Sequence, residues 1–218
     1  MKLKISIFIK AILAGFMVCV GGFILLCANN VYYASLIFAT GLFVIFTFHL
    51  NLYTSRVGYI VTSPPAYIFD VFIILAGNFA GAYAFTAAVM QSRIREVAFE
   101  NAKHITEIRM ADSPASIFIL AVFCGVLMFI ASESNRRYES ALMKVIGTFL
   151  PVSVFIICGL EHSIANICFF TAAEAWSVKS LLWFLISVAG NAVGTFIFPL
   201  SFKLLAYLEK RDRNTPNG

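Results

Sequence analysis

Apolar residues run along this chain in six long stretches, at residues 8–28, 32–50, 66–91, 114–132, 141–170 and 180–208, divided by short polar punctuation. Each reaches or approaches the ~20 apolar residues with which a helix crosses ~30 Å of hydrocarbon. Each therefore predicts a membrane-spanning helix. The polar interruptions differ in kind. After the second stretch, Asn51-Leu52-Tyr53-Thr54-Ser55-Arg56-Val57-Gly58 leads to a short apolar piece and Ser63-Pro64-Pro65, the pattern of a span that unwinds before it finishes. Inside the fifth, Gly159-Leu160-Glu161-His162-Ser163-Ile164-Ala165-Asn166 places two ionisable residues at membrane depth, where such groups face a protein interior or a water-filled path. Gly159 and the small residues around His162 predict a second interruption. Residues 92–113 carry four basic and four acidic residues in helical alternation and predict an interfacial helix with a loop.

A repeat ties the stretches together. Ala76-Gly77-Asn78-Phe79-Ala80-Gly81 in the third recurs as Ala189-Gly190-Asn191-Ala192-Val193-Gly194 in the sixth, 113 residues on (78 to 191), and Thr54 stands 108 residues before His162 (54 to 162). Three spans is an odd number, so the second set is inverted relative to the first. The expected fold is thus all-α and membrane-integral: two inverted three-helix repeats, about 8–91 and 114–208, with helices 2 and 5 broken. A linker at 92–113 joins them and a cytoplasmic tail at 209–218 follows, so that 1–218 form a single transmembrane domain. Inverted repeats with a broken helix in each point to a transport site near the midplane. The repeated strings also have a purely structural reading, since glycines four apart let helices approach closely. Their asparagines need partners in hydrocarbon, and backbone freed at a broken helix is one source.

Composition removes most other classes. The 218 residues are 61% hydrophobic, with mean hydropathy +0.89 and 12% charged, against roughly 25% charged in soluble domains. This is an integral membrane protein with no length left for a separate soluble domain. The first stretch is too long for a signal-peptide core and lacks a small-x-small cleavage site, so it is read as the first span. Cys19, Cys27, Cys124, Cys158 and Cys168 all fall in apolar runs without short paired spacing, which argues against a disulfide framework or a metal site. No cofactor is expected; paired axial histidines for haem are missing, because only His162 lies clearly inside a span. The net charge of +5 does not form an aromatic-interleaved basic surface for nucleic acid.

Charge is better read as topology. With both ends cytoplasmic, the inner segments collect Lys2, Lys4, Lys10, Arg56, Arg136, Arg137, Lys144, Lys203, Lys210, Arg211 and Arg213, and the outer ones Arg93, Arg95, Lys103, Arg109 and Lys179. Eleven against five favours that orientation. A multi-pass protein of a cell membrane, the bacterial inner membrane, is expected. Trp176 and Trp183 are expected as interface anchors, Asp70 at a helix N-terminus, His49 in interfacial packing and His104 in solvent.

The GxEHSxAN string at 159–166, the two AGNxxG strings and Leu52-Tyr53-Thr54-Ser55 together resemble the formate/nitrite transporter family, from roughly Lys10 to Leu208. The resemblance implies a homopentamer of aquaporin-like protomers, each with its own pore for a small monovalent anion such as formate, nitrite or hydrosulfide, linked to protons. By position it makes His162 the central pore histidine, Thr54 the facing threonine and Asn191 a pore-side asparagine. It puts Phe38, Leu42 and Ala165 at an outer constriction and Leu52, Tyr53 and Phe155 at an inner one. Arg109 stands where a lysine usually attracts anions, Cys124-Gly125 where the family usually reads Cys-Asn, and Tyr53 where Phe is usual. The segment that normally precedes the first helix is mostly missing.

A bare anion crossing two apolar constrictions is heavily desolvated, whereas its neutral acid is not. Such a pore needs a proton donor between the constrictions. Histidine titrates near neutral pH; burial disfavours its charged form and an arriving anion favours it, coupling binding to protonation. Thr54 and Asn191 are the expected hydrogen-bond donors to the anion. Glu161 is expected to be structural, accepting backbone N–H groups at the break, with Asn78 beside the other break. Two rival classes remain at this stage. A neutral-solute channel would also use apolar constrictions, and a membrane enzyme could use Cys158, four residues before His162, although no orienting acid or oxyanion arrangement accompanies it.

Overall fold

A computed structural model describes residues 2–214, and no strand occurs among them. Helices α1 (Lys2–Cys27), α4 (Tyr67–Val89), α6 (Pro114–Arg137) and α9 (Val178–Asn214) are long and apolar enough to cross a membrane. Between them lie α2 (Val31–Thr47), α3 (Tyr53–Arg56) with a 3-10 turn (Val57–Thr62), α5 (Arg95–Ala111), α7 (Ala141–Ile157) and α8 (Ser163–Ala172). The expected tail at 209–218 is the last turn of α9 as far as Asn214; its residues 215–218 lie outside the described residues.

Local chemistry sets the boundaries. Asn30 caps α2 by accepting the N–H groups of Tyr32 and Tyr33 at 2.9 and 3.2 Å, and Ser113 caps α6 ahead of Pro114 at its first position. The stretch 141–170, expected as one helix, is α7 and α8 with five non-helical residues between them (158–162). Gly159 is the reason: at φ 62° it turns the chain left-handed, and Leu160 N–H closes on Phe155 C=O at 2.9 Å. The stretch 32–50 stops at Thr47 in the same way. There His49 takes φ 50° and Leu50 N–H closes on Ile45 C=O at 2.8 Å. Expected as plain interfacial packing, His49 is exposed and fills the left-handed position that Gly159 fills in α7.

Packing follows small residues. The most extensive helix pairs are α1 with α4 and α6 with α9, and the two are built from equivalent contacts. A side chain on Gly15 would run into the Asn78 carbonyl and one on Gly125 into the Asn191 carbonyl; Gly81 lies against the Ile12 carbonyl and Gly194 against that of Val122. Helix α2 packs on α1 and α7, and α7 on α6, which leaves α3 and α8 to fill the interior. Every residue from Ser163 to Phe170 is buried, whereas Phe69, Phe72, Phe123, Leu150 and Leu185 face outward as a lipid-contacting surface requires. Helix α5 lies against α8 and α1, with His104 on its exposed side. Asp70, in the first turn of α4, is paired with Lys4.

The paired turns make a prediction. A β-carbon at Gly159 meets nothing within 4 Å, so Gly159→Ala carries only the backbone penalty for a left-handed residue, roughly 1–2 kcal/mol. His49 already bears that penalty, so His49→Gly should stabilise by up to about 1 kcal/mol. Unfolding of the purified protein in mild detergent should show opposite signs for the two variants; equal signs would mean that the turns do not set these helix ends.

Candidate functional site

The interior elements begin at residues whose side chains or neighbours replace lost backbone partners. Helix α8 starts at His162, which lies in extended backbone (φ −103°, ψ 111°) and accepts the Ala165 N–H on its Nδ1 at 3.2 Å. A ring nitrogen that accepts has no proton, so the neutral ring carries its proton on Nε2. Nε2 lies 3.0 Å from Thr54 Oγ1 on α3 and donates to it. The Thr54 hydroxyl proton is thereby left to face outward from the pair. An imidazolium would turn an N–H on Nδ1 against the Ala165 N–H, so the cap and the charged ring exclude one another.

Aromatic rings cover this pair. Phe155 stacks on His162 with centroids 5.5 Å apart and planes at 27°, and Phe38 meets Phe155 edge-on at 5.5 Å. Phe155, expected with Leu52 and Tyr53 at the inner constriction, is thus in ring contact with Phe38, expected at the outer one. The reason is that α7 ends beside α2, where Phe38 and Leu42 are fully buried. Ala165, expected with Phe38, lies on the first turn of α8, where its N–H caps His162. Leu52 is the extended residue before α3 and is fully buried; Tyr53 donates its hydroxyl to the Val188 carbonyl of α9 at 3.1 Å.

Two asparagines brace the starts of α3 and α8. Asn78 donates to the carbonyls of Ala11 (2.7 Å) and Asn51 (2.8 Å) and accepts the Tyr53 N–H at 2.7 Å. Asn191 donates to the carbonyls of Ala121 and Glu161, each at 2.8 Å, and accepts the Ser163 N–H at 2.9 Å. Both amide protons of Asn191 are used, so it has none to offer an anion. Its expected part as a donor in the pore is replaced by that of a brace.

Glu161 differs from expectation too. Its carboxylate takes side chains rather than backbone: Oε1 pairs with Arg109 Nε at 3.0 Å and Oε2 accepts Asn166 Nδ2 at 2.6 Å. Arg109 Nε also reaches Asn166 Oδ1 at 3.2 Å, its guanidinium lies 5.1 Å from the Phe169 ring centre, and only 13% of its side chain is exposed. Asn166 reaches Ser187 at 3.2 Å, Ser187 bonds the Trp183 carbonyl, and the Trp183 indole N–H returns to the Arg109 carbonyl at 2.7 Å. Trp183, expected as an interface anchor, is 6% exposed and closes this ring of contacts; Trp176 donates to Thr171. Sequence reasoning gave no part to Ser187 or Asn166. Asn166 did have a signal, because a buried Asn one helical turn beyond an intramembrane Glu-His pair calls for charged or polar partners. Among the described residues Thr86, Thr106, Ser153 and Ser163 have buried hydroxyls without a partner, Ser163 beside His162.

Taken together, the site holds a neutral imidazole whose Nε2–H is relayed to a threonine, under an aromatic cover, next to a buried ion pair. It can hydrogen-bond a small acceptor and change charge by giving up one cap. The five cysteines are free thiols.

Comparison with known proteins gives a consistent picture. A family model described as formate/nitrite transporter matches residues 2–205. The chain is 24% identical over 185 residues to "Formate channel FocB" of Escherichia coli (strain K12), covering 75% of this chain and 65% of that protein. It is 29% identical over 101 residues to a "Probable formate transporter" of Methanothermobacter thermautotrophicus, covering 44% of this chain and 37% of that one. The matched stretches thus span less than two thirds of these curated relatives. Among solved structures, "Pentameric formate channel with formate bound" superposes with TM-score 0.81 at 21% identity, over 95% of this chain and 98% of that one. "FNT family ion channel" superposes with TM-score 0.71 at 16% identity, over 89% and 86%. The likeness establishes a shared helical channel fold, and the relatives are channels and transporters, not enzymes.

The ion pair generates a prediction. Arg109→Gln leaves a carboxylate buried without its cation and should cost about 3–5 kcal/mol. Arg109→Gln combined with Glu161→Gln should recover most of that loss in detergent unfolding. An equal loss in the single and double variants would mean that the pairing is not what the protein depends on here.

Proposed function

The chain belongs to the formate/nitrite transporter family, and we propose that it moves a small monovalent anion, formate, nitrite or one of similar size, together with a proton. The observation that carries this reading is the buried contact of His162 Nε2 with Thr54 Oγ1 at 3.0 Å, made by residues 108 apart and roofed by Phe155 and Phe38. The proposed topology has six crossings in two inverted repeats within a single transmembrane domain. In it α2 with α3, and α7 with α8, each make one interrupted crossing, joined by linker 92–113. Both termini are cytoplasmic, by the eleven-to-five distribution of basic residues, in a bacterial inner membrane.

In the proposed cycle an anion reaches the Thr54 hydroxyl, the donor left free when Thr54 accepts from His162. Its negative charge favours the imidazolium. The ring takes a solvent proton on Nδ1, at the expense of the Ala165 cap, and passes its Nε2 proton through the Thr54 hydroxyl to the anion. The neutral acid then crosses the apolar residues with little desolvation. One anion and one proton move together, and the ring regains its capped form when Nε2 takes a proton from solvent and Nδ1 gives its own up. Arg109 keeps the anion-attracting part we propose for it, but with Glu161 at 3.0 Å it acts as one end of a dipole, over a short range.

A proteoliposome flux assay tests this reading. His162→Asn keeps a hydrogen-bonding side chain that does not titrate in this range. It should abolish proton co-movement and the pH dependence of uptake while leaving at most an electrogenic anion leak. Wild-type coupling in folded His162→Asn vesicles would remove the histidine from the mechanism. Uptake that ignores anion concentration at fixed pH would favour a neutral-solute channel instead. Running formate, nitrite, hydrosulfide and short carboxylates in parallel identifies the anion. We propose a homopentamer with one pore per protomer; mass measurement in mild detergent should give five chains, and a stable dimer or trimer would overturn it.

A further inference from the structure

We propose that the groove between the C-terminal end of α6 and the middle of α9 binds an anionic phospholipid, with its phosphate on Arg137 and its chain on a row of phenylalanines. The groove has a volume of about 250 Å³ and is lined by Phe129, Ile130, Glu133, Arg137, Phe198 and Phe202, among others. Phe129 and Phe198 stack at 6.0 Å with planes 11° apart, and Phe202 continues the row 5.9 Å from Phe198. This makes an apolar floor along two helices that are both long and apolar enough to span the membrane.

The mouth of the groove is cationic, and its cations are held in place. Glu133, with 9% of its side chain exposed, accepts the Arg136 Nε and Nη2 at 2.8 and 3.0 Å, the Arg137 Nε, and the Tyr59 hydroxyl at 2.7 Å. Two guanidinium groups against one carboxylate leave a net charge of +1. The described hydrogen bonds of Arg137 use only its Nε. Its two Nη groups are therefore available, on a side chain 56% exposed whose guanidinium lies 5.4 Å from the Phe202 ring centre. Guanidinium Nη groups fit phosphate oxygens in pairs. A fixed cation at the end of a membrane span, above an apolar groove between helices, is the arrangement that recognises an anionic headgroup by charge and its chain by shape. Glu133 is a positioning residue here: it anchors Arg137, which lines the groove, by its Nε side. Nothing in this argument uses His162 or its partners, so it stands apart from the transport reading.

The test is lipid binding to the full chain in its native assembly. Purified protein in mild detergent is titrated with phosphatidylglycerol or phosphatidylcholine of identical acyl chains, and bound lipid is counted by native mass spectrometry. Phosphatidylglycerol should bind in preference. Arg137→Gln should weaken it about fivefold, the worth of one basic residue against an anionic headgroup, without changing phosphatidylcholine. Arg137→Lys should retain the preference, and Phe198→Ala should weaken both lipids alike. Glycerol phosphate, which has no chain, should not compete. Equal binding of the two lipids, an unchanged preference in Arg137→Gln, competition by glycerol phosphate, or cross-linking of Phe202→Cys to a second copy in the native assembly would each overturn the proposal. If Arg137→Gln does not fold, the comparison of lipids on wild-type protein and the Phe198→Ala variant decide.

Discussion

Backbone hydrogen bonding in the absence of water is the constraint from which the rest follows. A helix end placed inside hydrocarbon exposes N–H and C=O groups that nothing in lipid can satisfy, each at a cost of several kcal/mol. This protein places two helix starts, those of α3 and α8, in its interior, and each is met by one asparagine. Asn78 and Asn191 each take one N–H from a new helix, give one proton to the carbonyl before it, and spend the last on a neighbouring helix. The glycines around them exist for the same purpose. Without close contact of α1 with α4 and α6 with α9, the amides would not reach Ala11 and Ala121.

The same constraint gives His162 its character. Its Nδ1 serves as the cap of α8, so the side chain that can change charge is also one that satisfies backbone. In the neutral state the helix start is satisfied and Nε2–H is directed at Thr54. An imidazolium would carry a proton on Nδ1, and the Ala165 N–H would then lose its acceptor. In the proposed cycle an anion beside Thr54 offsets that loss.

The broad organisation was legible in the sequence because hydrocarbon imposes a length and a composition that leave little choice. The six apolar stretches, the charged helix α5 and the importance of 51–58 and 159–166 could be read from spacing alone. What could not be read was which partner each polar side chain would take. Asn191 looks like a pore-side donor until its three bonds are counted. Glu161 looks like a backbone acceptor until Arg109 arrives from a helix 52 residues earlier (109 to 161). Phe155 and Phe38 share a contact that depends on how α7 lies on α2, which no periodicity specifies. The left-handed turn at Gly159 was announced by its glycine. Its counterpart at His49 was not, because a histidine gives no such notice of φ 50°.

The departure at Gly125 shows how such a sequence can lose a polar group near its centre without leaving a hole. Read from the sequence, Cys124-Gly125 in place of Cys-Asn removes a side chain expected near the histidine. In the fold there is no room for one: a β-carbon at Gly125 would collide with the carbonyl of Asn191. Helix α9 fills that space, and its Asn191 bonds the Glu161 carbonyl and the Ser163 N–H. Gly15 stands in the same relation to Asn78, so the glycine on α6 brings the second half into line with the first. The substitution therefore acts through helix separation, by fixing how far Asn191 reaches toward the start of α8 and hence where His162 stands opposite Thr54.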